Sequence, residues 1–422
     1  MPYVKRVRLS EVLDGRGDPT VAATVTTDDG VEATALAPSG RSTGRHEAVE
    51  VRDGESEWYN GRGLRHHLAQ VEPEISEALE GSRLDISRVD EALIQLDGTA
   101  NKSRLGANVT SAISLAVAKA AARADGVSLY HYLNPLARTL PVPQMNLING
   151  GRHAYNATPV QEFIVMPVKA GDFAEALSWT MRIYHALSQM VKQRYGHHAL
   201  NTGDEGGLTP DVPSLAAGLD LLSEAVKNAG LAGGVRYGLD MAATHLYDVN
   251  TQQYTIDRAY TREELFAMYA DIVEHRQVVS IEDPVEEDDF EGLAQLTRRL
   301  KAQWVGDDLF VTNPARVRRA IQMGAGNALL WKFNQIGTLS EAWTAADVAR
   351  RHGYEIVVSE RSGDTEDPAI ADLAVALGAS QIKTGAPVRG ERTAKYNRLL
   401  AIQRELGTLG RYAGQDLMER YG

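Results

Sequence analysis

A chain of 422 residues with 43% hydrophobic content is long enough for two domains, each with a sizeable core. Its formal net charge of -12, from 44 basic and 56 acidic residues, argues against nucleic acid or anionic membrane as partners, so a small anion would need a locally basic pocket. The lack of cysteine excludes disulfides, zinc–thiolate sites and thiol nucleophiles. With no apolar N-terminal segment and no run near the ~20 residues of a membrane span, the default expectation is a soluble cytoplasmic protein.

Along the chain, residues Thr20–Thr26 and Val31–Leu36 flank Asp28-Asp29-Gly30 and predict a β-hairpin. The following stretch, Ala37 to Gly44, is too rich in Gly and Ser for core. Helical patterning runs from about Gly63 to Asp125. Within it Asn108–Ala124 is apolar on most sides and predicts a buried helix stopped at Gly126. Leu133–Pro143 carries three prolines and reads as a connection between domains, placing a smaller N-terminal unit at 1–134 and a second unit at 135–422.

From Gln144 onward apolar strands alternate with amphipathic helices. Phe163–Met166 predicts a strand. Ser214 caps a helix through Asn228 that Gly230 closes, and Thr261 with Glu264 predicts a capping box ahead of Leu265, Met268 and Ile272. Val278–Glu282, Trp304–Asp307, Ala328–Phe333, Glu355–Ser359 and Gln381–Lys383 follow as strands. Such alternation predicts an α/β fold with a parallel sheet or barrel. The segment before the helix at Thr261 has room for a small hairpin, Leu246–Ile256.

Ionisable residues recur near the ends of these strands: Asp240, Glu282, Asp307, Lys332 and Lys383, at intervals of 42, 25, 25 and 51 residues. The shorter interval matches one βα unit, and side chains at the carboxyl ends of barrel strands converge on one point. Three carboxylates, joined by Asp283 and Asp308, suit a hard divalent cation such as Mg2+. Two lysines beside them suit an anionic substrate and proton abstraction next to a carboxylate. Glu162 and Glu205, the latter in a glycine-flanked turn (Gly203 to Gly207), suit proton donation to a leaving hydroxyl. Arg361-Ser362-Gly363 offers a guanidinium, a hydroxyl and backbone donors to a phosphate.

With these residues in place, the chain resembles the enolase family over nearly its whole length. The strings that carry the resemblance include LDGRGDPTV, PSGRSTGRHEAVEVRDG, LPVPQMNLINGG, GDEGG, SIEDP, VGDDLFVTNP, KFNQIGTLSE, RSGDTEDPAIADLAVA and QIKTGAPVRGER, in that order. The resemblance implies a smaller N-terminal α+β domain ahead of a TIM-like α/β barrel with a ββαα start, usually as a homodimer. It implies two Mg2+ ions per active site. Asp240, Glu282 and Asp307 would hold one, and Ser42, on a closing loop, would help bind the second. Lys332 would take the C2 proton of 2-phosphoglycerate, and Glu205, supported by Glu162, would protonate the C3 hydroxyl. Lys383 would contact the substrate carboxylate or hydroxyl side, Arg361 and Ser362 its phosphate, and His153 would sit on a second closing loop.

Several positions depart from the family pattern. Glu360 stands where the family has histidine, in Ser359-Glu360-Arg361-Ser362-Gly363. Arg41 and Arg152 replace small residues, and Arg45 follows the closing loop. Trp331 and Phe333 replace aliphatic neighbours of Lys332, and Gly15 and Gly390 replace serine. An added carboxylate on the leaving-group side and new guanidiniums over the phosphate predict a more anionic ligand. On that argument the first expectation is the family branch of carboxyphosphonoenolpyruvate synthase, from phosphonate (phosphinothricin-type) antibiotic biosynthesis. Ordinary phosphopyruvate hydratase is the alternative, and a non-catalytic enolase-fold binding protein comes third.

Overall fold

The hairpin signal at Asp28-Asp29-Gly30 is realised in the computed structural model, which describes residues 2–41, 43–154 and 156–421. Strands β1 (Val4–Leu13), β2 (Pro19–Thr27) and β3 (Glu32–Leu36) form an antiparallel meander. Helices α1 (Arg65–Leu79), α2 (Ile86–Asp97) and α3 (Ala107–Ala124) follow, with α1 and α3 packed on the sheet. Helix α3 is buried along nearly its whole length, as its all-round apolar pattern predicts, and Gly126 follows it at φ 68°, in the left-handed region where a glycine stop belongs. A short helix α4 (Leu129–Leu133) completes this unit.

The predicted connection Leu133–Pro143 is shorter than expected. Strand β4 (Thr139–Leu140) lies inside it, and β5 (Val142–Asn149) takes up its end, so Pro143 is a strand residue. All eight residues of β5 are buried, and that burial outweighs the one ladder donor a proline lacks. Strand β6 (Glu162–Met166) runs antiparallel to β5, then α5 (Phe173–Tyr195) and α6 (Leu215–Asn228) precede β7 (Arg236–Asp240). Ser214 caps α6 through the N–H of Ala217. The expected small hairpin is a three-stranded ribbon: β8 (Tyr247–Asp248), β9 (Gln253–Thr255) and β10 (Ala259–Tyr260).

The chain then alternates. In order it forms α7 (Arg262–His275), β11 (Val278–Glu282), α8 (Phe290–Arg299), β12 (Gln303–Gly306), α9 (Pro314–Met323) and β13 (Ala328–Trp331). It continues through α10 (Leu339–Arg351), β14 (Glu355–Ser359), α11 (Ala369–Leu377), β15 (Gln381–Lys383) and α12 (Gly390–Leu406). Strand β16 (Arg411–Tyr412), paired with β4, and α13 (Gly414–Tyr421) end it. The capping box of Thr261 and Glu264 is present at α7. Eight strands close in the order β11-β12-β13-β14-β15-β5-β6-β7. Only β6 runs against its neighbours, which is the ββαα start.

Strands β12 and β13 stop one and two residues short of the predicted ends, for a local reason. The Asp283 carboxylate accepts the N–H groups of Asp307 (2.8 Å) and Asp308 (2.9 Å), and Thr312 Oγ1 accepts that of Lys332 (2.9 Å). Side-chain oxygens thus replace the ladder partners and turn the chain at the barrel mouth.

The N-terminal unit shares a buried apolar cluster with the barrel, and polar contacts fix the seam. Ser39 and Gly363 exchange both backbone hydrogen bonds, at 2.8 and 2.9 Å. Thr110 Oγ1 donates to Gly337 O at 2.7 Å, and Asp90 Oδ2 accepts the Ser340 N–H at 2.9 Å. Burial pushes the Asp90 carboxyl up to about 6 against the hydrogen bonds from Ser114 and Ser340. The folded state therefore binds this proton more tightly than the unfolded chain, whose ordinary value is 3.8. Stability should fall as pH rises from about 4 to about 6, by about 3 kcal/mol, and stay level above. Asp90→Asn should remove that loss: denaturant midpoints of variant and parent converge toward pH 4, and the variant is the more stable at pH 7.

Candidate active site

Closure of the barrel decides which side chains meet. Asp240, Glu282 and Lys383 are the last residues of β7, β11 and β15, and Asp307, Lys332 and Glu360 immediately follow β12, β13 and β14. Glu162 is the first residue of β6 and, because that strand runs backwards, it reaches the same mouth. In the closed order β13 stands opposite β6, and β15 opposite β11. Lys332 and Glu162 therefore flank the mouth from opposite sides.

The two lysines are held by the carboxylates. Lys383 Nζ lies 2.7 Å from Glu282 Oε2 and 3.1 Å from both Asp240 Oδ2 and Glu162 Oε1. Burial alone would lower its pKa, but Asp240, Glu162 and Glu282 together hold it well above the ordinary lysine value. Lys332 Nζ contacts Asp307 Oδ2 at 2.5 Å, and Asp307 Oδ1 accepts from Gln335 Nε2 at 2.7 Å. Burial again works against the ammonium of Lys332, and Asp307 overrides it.

Residues that could hold a cation are oxygen donors throughout. Asp240, Glu282 and Asp307 share the mouth, and carboxylate oxygens of Asp283, Asp307 and Asp308 lie within 4.8 Å of one another. Burial, and then neighbouring anions, push Glu282, Asp283 and Asp308 well above the ordinary carboxylate range. This is the signature of more buried negative charge than two lysines balance, and it fits a hard divalent cation. Ser42 lies outside the described residues.

Glu162 and Glu205 meet around His153, whose Nδ1 lies 3.5 Å from Glu162 Oε1 and 3.3 Å from Glu205 Oε1. Asn146 Nδ2 donates to Glu205 Oε2 at 3.1 Å. Burial, and then Glu205, raise Glu162 well above the ordinary value. Burial also opposes ionisation of Glu205, but His153, Lys383 and Arg392 outweigh it and bring its carboxyl down to about 2. Burial holds His153 below the ordinary histidine value. The two carboxyls thus form one coupled site that carries a proton on the Glu162 side. Neither ring nitrogen of His153 makes a hydrogen bond among the described residues, so the pocket presents buried polar atoms to a ligand.

On the third side, Arg361 is buried and forms an ion pair with Glu47 (Nη1 to Oε2, 2.9 Å). Glu47 comes from the N-terminal unit, and no signal in the sequence singled it out. Ser362 Oγ accepts the N–H of Arg41 at 3.0 Å, and the Arg41 guanidinium reaches Asp204 at 2.8 Å. Glu360 points to Arg392 of α12 rather than to open space. Gln335 and Arg392 also lay outside the sequence reading. Both act through contacts made 28 to 32 residues away in the chain, which spacing cannot reveal.

The departures from the family pattern lose most of their weight here. Arg41 carries its own acid in Asp204, Arg45 is paired with Glu287 and Asp288, and Glu360 is paired with Arg392. None of these adds net charge beside Arg361 and Ser362. Trp331 points away from Lys332, as alternation along a strand requires, and donates from Nε1 to Ala342 O in α10 at 2.6 Å. Gly15 leaves room for Glu391, whose Cδ would lie 2.6 Å from a Cβ at that position. Nothing in the structure explains Gly390.

Comparison with known proteins agrees with this geometry. The family model "Enolase, N-terminal domain" matches residues 4–133, and "Enolase, C-terminal TIM barrel domain" matches 137–421. Curated relatives named Enolase include that of Methanopyrus kandleri, 51% identical over 96% of this chain and 96% of its own length. Those of Methanocaldococcus jannaschii (50%; 98% and 97%) and Mycobacteroides abscessus (48%; 100% and 99%) are similar. The expected branch toward carboxyphosphonoenolpyruvate synthase finds no support in these relatives or in the charge balance of the site. The chain is an enzyme of the enolase family.

Proposed function

We propose that this enzyme is a phosphopyruvate hydratase, which removes water from 2-phosphoglycerate to give phosphoenolpyruvate. The observation that carries the reading is the placement of an amine, Lys332, and a protonated carboxyl pair, Glu162 with Glu205, on opposite sides of one barrel mouth. An anti elimination needs a base on one face of the substrate and an acid on the other.

The roles follow from position. Arg361 and Ser362 are placed to hold the phosphate, with Glu47 keeping the guanidinium in its buried orientation. Two Mg2+ ions, with Asp240, Glu282 and Asp307 as the oxygen donors of one and Ser42 of the other, would supply charge neutralisation at the substrate carboxylate. Asp307 holds Lys332 as an ammonium; with Asp307 committed to a cation that hold would be lost, Lys332 would give one proton to solvent, and the free amine would take the C2 proton. Lys383 keeps Glu162, Asp240 and Glu282 in register and faces the carboxylate end. The proton of the Glu162–Glu205 pair goes to the C3 oxygen as the C3–O bond breaks, and water leaves.

The test uses the full chain with Mg2+ and 2-phosphoglycerate, followed by ultraviolet absorbance of the enol product, with and without a nucleotide-activated phosphonoformate. Robust turnover on 2-phosphoglycerate alone is expected. Turnover that requires the phosphonoformate would overturn the reading in favour of the synthase. Removal of divalent ions with a chelator should abolish turnover, and added Mg2+ should restore it.

A further inference from the structure

The position where this chain parts from its family lies behind the site, not in it. Glu360 follows β14, is 2% exposed, and pairs through Oε2 with Nη1 of Arg392. Arg392 lies in α12 and is itself fully buried. Its two terminal nitrogens also donate to three backbone carbonyls: Arg361 O at 2.8 Å, Asp204 O at 3.0 Å and Ser362 O at 2.6 Å. One guanidinium thus ties together the residue before Glu205 and both residues of the phosphate grip. The Glu205 carbonyl is in turn held by the Ala386 N–H at 2.9 Å. A buried guanidinium engaged only by neutral carbonyls would be an uncompensated charge; Glu360 is the carboxylate in closest contact, with Glu391 Oε1 farther off at 3.5 Å from Nε.

We propose that Glu360 and Arg392 form a buried ion-pair latch that fixes the Glu205 turn and the Arg361–Ser362 turn from behind, so that Glu360 is a positioning residue for both turns at once. The proposal rests on the hydratase reading for its link to the acid step. Its geometry stands without that reading.

Three variants test this: Glu360→Gln, Glu360→Asp and Arg392→Lys. Glu360→Gln removes the carboxylate and leaves the guanidinium, so both turns should loosen together: kcat on 2-phosphoglycerate should fall about tenfold or more and KM should rise about threefold or more. Glu360→Asp keeps the charge and should recover most of both losses. Arg392→Lys keeps a cation but gives up carbonyl contacts, so it should show the same combined loss. Unchanged kinetics in Glu360→Gln, or a Glu360→Asp no better than Glu360→Gln, would overturn the proposal. If the parent fails to turn over 2-phosphoglycerate, the functional reading falls. The latch is then decided by amide hydrogen exchange: peptides covering residues 203–207 and 361–363 should exchange faster in Glu360→Gln and Arg392→Lys and close to the parent rate in Glu360→Asp, and unchanged exchange would refute it.

Discussion

Replacing Lys332 by alanine should lower kcat on 2-phosphoglycerate about ten-thousand-fold while KM changes little, because in the proposed mechanism the amine acts on the C2 proton and not on ground-state binding. The other lysine at the barrel mouth is held elsewhere. Lys383 stands two strands away on β15 and is engaged by three carboxylates. The discriminating measurement is exchange of the C2 proton with deuterated solvent, followed by NMR. Lys332→Ala should abolish exchange together with dehydration. Glu205→Gln should abolish dehydration but leave exchange measurable, since the proposed base, Lys332, is untouched by that change. If exchange survives in Lys332→Ala, the base lies elsewhere and the assignment fails.

The largest effect on stability is expected away from the chemistry, at Lys395→Met. Lys395 is fully buried in α12, and its ammonium donates to Asp364 Oδ1 at 2.8 Å and Glu391 O at 2.7 Å, and also to Thr365 O. Methionine fills similar volume but leaves the buried Asp364 carboxylate without its partner. Breaking a buried pair on one side costs about 3–5 kcal/mol, whereas replacing both members with apolar residues costs far less. Denaturant unfolding should therefore show a large loss for Lys395→Met and a substantial recovery for Lys395→Met combined with Asp364→Leu. Asp364 Oδ2 also accepts the Arg361 N–H at 3.3 Å, so the single variant should loosen the phosphate grip and raise KM as well. Equal losses in the single and double variants would show that packing volume, not charge, dominates here.

Much of the fold was legible in the order of residues. Periodicity placed the hairpin, the buried helix α3, the capped helices α6 and α7 and the run of barrel strands, because these depend on local propensity and on which face is apolar. The main errors were at strand ends and in the interdomain connection. Asp283 and Thr312 cut short β12 and β13 by capturing N–H groups from outside the strand, and the burial of β5 drew Pro143 into a strand. Propensity is blind to both, since each is a long-range contact.

For the site, the spacing of Asp240, Glu282, Asp307, Lys332 and Lys383 was enough to bring them to one barrel mouth, because a strand's direction fixes which end its last residue occupies. The architecture, the family and the kinds of group at the centre are thus readable from residue order. The net charge each group experiences is set by packing. Arg41, Arg45 and Glu360 read along the chain as added charges, but each is matched by a partner that is distant in sequence: Asp204, Glu287 with Asp288, and Arg392. Charge compensation depends on distances through space between elements, and no local pattern encodes those.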